Sequence, residues 1–392
     1  MTDQPLPPRR VAMTLPVDAC TGWGVYGLNV ALQSLARGVM PVLLKAPHWT
    51  SLSPFHGGIL AAAGPTHQQV TQAMAERAGQ TLALNCPLVI AFGNQFQGPT
   101  LPCAVEGTRN VGIVVSECSK LTPQAVEVGK RLDHIVTGSA WNAHILRRHG
   151  LHGVAVVTQG IDPALFFPGP RSGLWKNHFV IFSGGKLEYR KGQDIVIAAV
   201  RAFQRRHPDA ILALAWHSAW NELMEEIPSA SLVEGAPAIG PNGQIDFSAW
   251  LHRNDVHGFL DLGMPFNWQV GTLLREADVA LLPSRAEGAT NFVAMECLAS
   301  GVPTILSANT GHLDIISDDI CYPLREQGPV RPTPRSPDVE GWGESSVDEI
   351  MDTLERIYRD RTDARRRAAA AVQAMRRISW ENQVGQLLQE LA

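Results

Sequence analysis

Short runs of β-type residues alternate with amphipathic helical stretches along nearly all of the 392 residues, and the alternation starts afresh after a Pro/Gly-rich break. In the first half the strand-like runs are Val11–Val17, Pro41–Lys45, Pro87–Gly93, Val111–Ser116, His134–Gly138 and Val154–Thr158. Val25–Ala36 and Ala140–Arg148 between them carry helical periodicity. Strands that alternate with helices cannot pair as tight hairpins, so they pair in parallel with helices over both faces of the sheet. The break is Phe167-Pro168-Gly169-Pro170-Arg171-Ser172-Gly173, which reads as an interdomain linker. Beyond it, strands are expected at His178–Ser183, Ala210–Trp216, Phe259–Leu262, Val279–Pro283 and Pro303–Ser307. Helices are expected at Gln193–Arg206, Trp268–Ala277 and near Asn291–Ser300. The expected architecture is α/β, two doubly wound domains facing a cleft: residues 1–170, residues 171–370, and a final helical segment, 371–392. Ligands of such sheets sit at the C-terminal ends of the strands.

Hydrophobic residues make up 45% of the chain, enough for two cores. The net charge of −4 argues against bulk nucleic-acid binding, which needs a basic surface. Six dispersed cysteines without a CxxC pair read as free thiols in a reducing compartment. The apolar run near the N-terminus is too short for a signal-peptide core, and nothing approaches the roughly 20 apolar residues of a membrane helix. A cytoplasmic protein is the expectation. Arg325–Gly343, rich in Pro and Gly, reads as a long surface loop, and Val347–Tyr358 and Arg361–Leu391 as helices. Eight arginines between Arg356 and Arg377 fit a solvated basic face, with peripheral membrane contact as the second reading.

Two stretches carry chemistry. Ser183-Gly184-Gly185-Lys186-Leu187-Glu188-Tyr189-Arg190-Lys191-Gly192 joins a strand to a helix. Backbone N–H groups at such a turn already favour an anion, and Lys186 and Lys191 add charge. Taken alone, the stretch equally fits an exposed basic loop. The second is Pro283-Ser284-Arg285-Ala286-Glu287-Gly288-Ala289-Thr290-Asn291, followed by Phe292-Val293-Ala294-Met295-Glu296 and Gly301-Val302-Pro303. Thr290 or Asn291 is positioned to cap the helix that follows. Glu287 also fits a surface carboxylate, whereas Glu296 lies among apolar neighbours, where an unpartnered carboxylate is costly.

These two stretches resemble the retaining GT-B glycosyltransferases of family four. The family's hallmark is Glu, seven residues, Glu, then Gly-x-Pro. Here eight residues separate Glu287 from Glu296, so one residue is extra, in the loop. Thr21-Gly22-Trp23-Gly24, Ser139-Ala140-Trp141-Asn142, Gly160-Ile161-Asp162 and Ser379-Trp380 are similar in kind and order. The resemblance implies a nucleotide-diphosphate sugar as co-substrate, no cofactor and no metal, and a glycan, lipid-linked or protein acceptor. It implies that Lys186 and Lys191 hold the diphosphate, with Gly185 and Arg190 beside them. Glu287 and the backbone of Gly288, Ala289, Thr290 and Asn291 would hold sugar and phosphate oxygens, and Glu296 the ribose. Gly22 and Gly24 would let the N-terminal loop close over the donor, and the final helix would cross back to the N-terminal domain. On the acceptor side a His-Glu pair is expected, and the chain has Ser116-Glu117. Glu117 either orients or deprotonates the acceptor, or is a partly exposed strand-end residue.

No Asp-x-Asp triplet, HExxH, Cys/His cluster, G-x-S-x-G elbow or P-loop appears. His217 follows a strand end and fits a structural role near the cleft. A sugar-nucleotide epimerase of the same fold and a catalytically silent binding partner are the competing readings.

Overall fold

The computed structural model describes residues 10–217, 219–241 and 243–391. Most of the Pro- and Arg-rich opening segment lies outside them. The chain forms two compact units. The first holds the residues through Asp162, together with Phe266–Trp268 and the segment from Ile378 onwards; the second holds Pro163–Pro265 and Gln269–Arg377.

The first unit contains strands β1 (Arg10–Met13), β2 (Met40–Leu43), β3 (Leu88–Phe92), β4 (Asn110–Val114), β5 (His134–Thr137) and β6 (Val154–Val156). They pair in parallel in the order β2-β1-β3-β4-β5-β6. Its helices are α1 (Gly22–Ala36), α2 (Pro54–Leu60), α3 (Gly64–Glu76), α4 (Pro123–Lys130) and α5 (Ala140–Arg148). A short parallel pair, Thr81–Ala83 with Ala104–Glu106, lies outside this sheet and has no counterpart in the periodicity.

The second unit contains β7 (Phe179–Gly184), α6 (Gln193–Gln204), β8 (Ala210–Ala215), α7 (Phe247–Arg253), β9 (Phe259–Asp261), β10 (Val279–Leu282), α9 (Phe292–Ala299), β11 (Thr304–Ser307), β12 (Tyr322–Leu324), α10 (Val347–Arg359) and α11 (Arg361–Arg376). Helix α8 (Asn267–Leu274) runs into it. All strand pairs of its main sheet are parallel, in the order β9-β8-β7-β10-β11-β12. Numbered within the unit this is 3-2-1-4-5-6, the doubly wound dinucleotide-fold order, in which the chain reverses direction across the sheet between β7 and β10. Ile195, Val200 and Phe203 of α6 and Ile350, Leu354 and Ile357 of α10 cover the sheet, each fully buried. Each such side chain contributes about 1.5–3 kcal/mol relative to exposure.

One expectation is corrected and two gain structural detail. The last helical segment is two helices, α11 and α12 (Trp380–Glu390), because Ser379 caps α12 by accepting from Asn382 N. The arginine stretch keeps the expected, largely exposed basic face, on which Arg356, Arg366 and Arg367 all donate to Asp363; of the eight, Arg367 is buried, against the Cys321 carbonyl at 2.9 Å. The Arg325–Gly343 segment is the expected surface loop, closed by the antiparallel pairing of Gln327–Gly328 with Glu344–Ser345. No helix among the described residues is long and apolar enough to cross a membrane. The six cysteines are all free, four of them buried.

Candidate functional site

The reversal between β7 and β10 opens two adjacent loops at the C-terminal ends of neighbouring strands. One is Gly185–Gly192, leading into α6; the other is residues 283–291, leading into α9. Both carry the polar residues singled out from the sequence. Gly192 makes the first turn fit: its φ is +72°, and a Cβ there would lie 2.3 Å from the Pro283 carbonyl oxygen of the second loop. Only glycine reaches that conformation without strain and lets the loops approach this closely.

The loops meet in an ion cluster. Lys191 Nζ donates to both carboxylate oxygens of Glu287, at 2.8 and 3.0 Å. Arg190 Nη1 donates to Glu287 Oε2 at 2.9 Å and to the Ala286 carbonyl at 2.7 Å, while its other amino group meets Glu188. Lys186 reaches Glu188 at 3.2 Å and lies over the ring of Trp220. Three cations against two carboxylates leave one net positive charge. Lys186 and Lys191 are therefore not two free cations: Lys191 is held by Glu287, and Lys186, the more exposed, by Glu188.

Burial alone would raise the Glu287 pKa, but the charges of Lys191 and Arg190 override it and hold the carboxylate well below its usual range. Burial pushes the Lys191 pKa down, and the Glu287 charge opposes that. These two directions pull against each other across one pair. The ionised state is the one the geometry supports, because both oxygens of Glu287 sit at hydrogen-bond distance from Lys191 and the carboxylate also has Arg190.

Glu287 is fixed from the other side as well. Asn291 Nδ2 donates to Glu287 Oε1 at 3.0 Å and contacts His312 Nε2 at 3.1 Å. The Glu287 amide donates to Thr310 Oγ1 at 2.7 Å, and the Gly311 amide to the Glu287 carbonyl at 3.0 Å. Asn291 stands at the N-cap position of α9, but its side chain makes no capping bond; it serves Glu287 instead. Its φ of 64° places the backbone in the left-handed region that Asn tolerates better than most residues. The residues after Glu287 form the loop, and α9 runs from Phe292. Gly288, Ala289 and Thr290 are buried in this loop, Thr290 facing Met295 Sδ at 2.9 Å. Glu296 is buried on α9. Gly185 follows β7 with φ of +112°.

Gly22, Gly24 and Glu117 lie in the first unit. Gly22 and Gly24 are not in a loop but in the first turn of α1, where Thr21 caps by accepting from Gly24 N. A Cβ on Gly24 would meet the Asp18 carboxylate at 2.0 Å, and that carboxylate accepts from the amides of Cys20 and Thr21 at 2.8 and 2.7 Å. Gly24 is thus required by packing, and this turn's amides serve an internal anion. Glu117 is half-buried beyond the end of β4, and its amide donates to Asn94 Oδ1 at 2.8 Å. His217 pairs with Asp261 at 2.9 Å.

Sequence reasoning missed His312 and the role of Arg285. Arg285 is fully buried, forks onto Asp194 at 2.8 and 2.7 Å, donates to the Tyr189 carbonyl at 2.6 Å and meets Glu344. It binds the second loop to α6. The available signals were an arginine inside an apolar strand-end context and the polar run Asn309-Thr310-Gly311-His312 directly after β11.

Two parallel units, the second in dinucleotide-fold order, have the GT-B fold of the solved structures they superpose on. Sucrose-phosphate synthase from Thermosynechococcus elongatus superposes with a TM-score of 0.64 at 15% identity, covering 96% of this chain and 97% of that one. Anabaena HepE in complex with UDP gives 0.60 at 14% identity, over 96% and 98%. Residues 267–387 match the family described as "Family 4 Glycosyltransferase in conflict systems". Glycogen synthase from Mycobacterium tuberculosis is 30% identical over 219 residues, 54% of this chain and 46% of that protein, so the chain spans about half the length of this curated relative. Over these parts of the chain the similarity is to family-four, group 1 glycosyltransferases.

Proposed function

We propose that the chain is a retaining, metal-independent glycosyltransferase that moves a hexose-type sugar from a nucleoside-diphosphate donor to the hydroxyl of a glycan, lipid-linked or protein acceptor. The observation that carries this reading is the Lys186–Arg190–Lys191 cluster around Glu287 at the chain reversal of the second unit. In transfer, the bond between the sugar's anomeric carbon and the diphosphate oxygen breaks, and a bond to the acceptor oxygen forms. The acceptor proton passes to the departing diphosphate, on the same face of the sugar. Charge on the diphosphate grows as it leaves, and preorganised cations favour that state over the bound donor. The side chains supply positive charge where a metal would otherwise do so, which supports the metal-independent reading. Glu287, locked in place by Lys191, Arg190 and Asn291, offers a rigid acceptor for sugar hydroxyls.

A thermal-shift screen against UDP, GDP, ADP and dTDP, with magnesium and with chelator, tests the donor site. UDP comes first because HepE was captured with it. A nucleotide at 100 times its Kd should stabilise the folded protein by about 2.7 kcal/mol. A selective shift that persists in chelator is expected. Folded protein that responds to none of the four overturns the reading. Anomeric NMR of the product then reads retention directly.

A further inference from the structure

His312 is fully buried between β11, α9 and the Glu287 loop. Its protonation follows from its partners. Glu287 Oε1 can only accept, so the Asn291 atom facing it is the amide nitrogen. The same nitrogen faces His312 Nε2 at 3.1 Å, so Nε2 bears no hydrogen. Nδ1 lies 3.1 Å from the Ser307 carbonyl oxygen, which makes it the donor. Both hydrogens of the Asn291 amide and both nitrogens of the ring are then satisfied. The charged groups around the ring are Glu287, Lys191 and Arg190. An imidazolium would turn an N–H towards the Asn291 amide and add a third cation against Glu287.

We propose that His312 is a positioning residue for the proposed transfer, acting as the neutral Nδ1–H tautomer that holds Asn291 and, through it, the Glu287 carboxylate. The proposal rests on the donor-site reading above. Asn291 takes a left-handed backbone, and its side chain is pinned to His312.

Two substitutions separate this from mere packing. In His312→Gln the side-chain amide reaches the place of Nε2 and can still accept from Asn291. In His312→Asn it reaches only the place of Nδ1. The expected result is that H312N raises the donor KM by about tenfold or more while H312Q stays within about threefold of wild type. In an Asn291→Gly background, H312N should then add little, because coupled residues are non-additive. Equal kinetics for H312N and wild type, or equal losses for H312N and H312Q, overturn the proposal. If H312N does not fold, nitrogen NMR of histidine-labelled wild type decides: a protonated Nδ1 with a bare Nε2 is expected, and the other tautomer or an imidazolium at neutral pH overturns it. If wild type binds no nucleotide, the functional reading falls separately. Exchange of the Asn291 side-chain amide then judges the positioning: slow in wild type and H312Q but fast in H312N supports it, and equal rates overturn it.

Discussion

Lys191 and Glu287 are each useful to the chain in two ways, and substitution separates them. Removing Lys191 withdraws a cation from the growing diphosphate charge and leaves Glu287 with Arg190 alone. Removing Glu287 takes the carboxylate from Lys191 and leaves Arg190 with Glu188 alone. We expect Lys191→Ala and Glu287→Ala each to lower kcat/KM by more than about tenfold, or roughly 1.4 kcal/mol of transition-state stabilisation. Near-normal turnover in both, measured by release of nucleoside diphosphate, would remove this cluster from the mechanism. The residue types here were legible from the sequence as a basic turn and two glutamates. Their pairing was not, because residues 186–191 and 287 lie about a hundred positions apart and meet only when β7 and β10 become neighbours.

The short turn after β11 is the element that titrates. Burial lowers the His312 pKa from 6.5 to about 4, against the opposing pull of Glu287. The unfolded chain therefore takes up the proton first as pH falls. Stability contributed by the neutral ring is complete above pH 6.5 and is lost as pH drops through 4, on the order of 3 kcal/mol in all. Glu287, whose pKa is also depressed, adds loss in the same direction at still lower pH. Urea unfolding across this range should show the fall, and H312Q, which cannot titrate, should flatten it between pH 6.5 and 4. An unchanged slope in H312Q would place the acid sensitivity elsewhere. The neighbouring turn shows what spacing alone conveyed: the Gly-rich stretch announced a tight strand-to-helix turn, while the contact of Gly192 with Pro283 came from packing.

At the scale of the molecule, neither unit is a simple stretch of chain. The first is completed by the segment from Ile378 onwards. Trp380 is buried there, its ring 5.4 Å from that of Tyr26 on α1, and a Cβ on Gly160 would lie 2.5 Å from its backbone. The Ile161 amide donates to the Ile378 carbonyl at 2.8 Å, so this end of the chain is hydrogen-bonded as well as packed. Trp380→Ala should destabilise the first unit by about 3–5 kcal/mol, the usual range for a core aromatic. A denaturation midpoint equal to that of wild type would show that the segment is dispensable to it.

Alternation of strand and helix patterns was enough to determine the α/β class and most strands of both sheets, because periods of two and of about 3.6 are local properties of the chain. The polar strand-end stretches likewise marked where chemistry would concentrate, since parallel sheets present their ligand loops at one edge. Tertiary structure alone decided which charges neutralise one another. Glu287 captures Lys191 from about a hundred residues away, and Asp194 holds Arg285 in the core. The reason is physical: an ion pair costs burial and repays it only through distance, and distances between residues far apart in sequence exist only once strand order has been set.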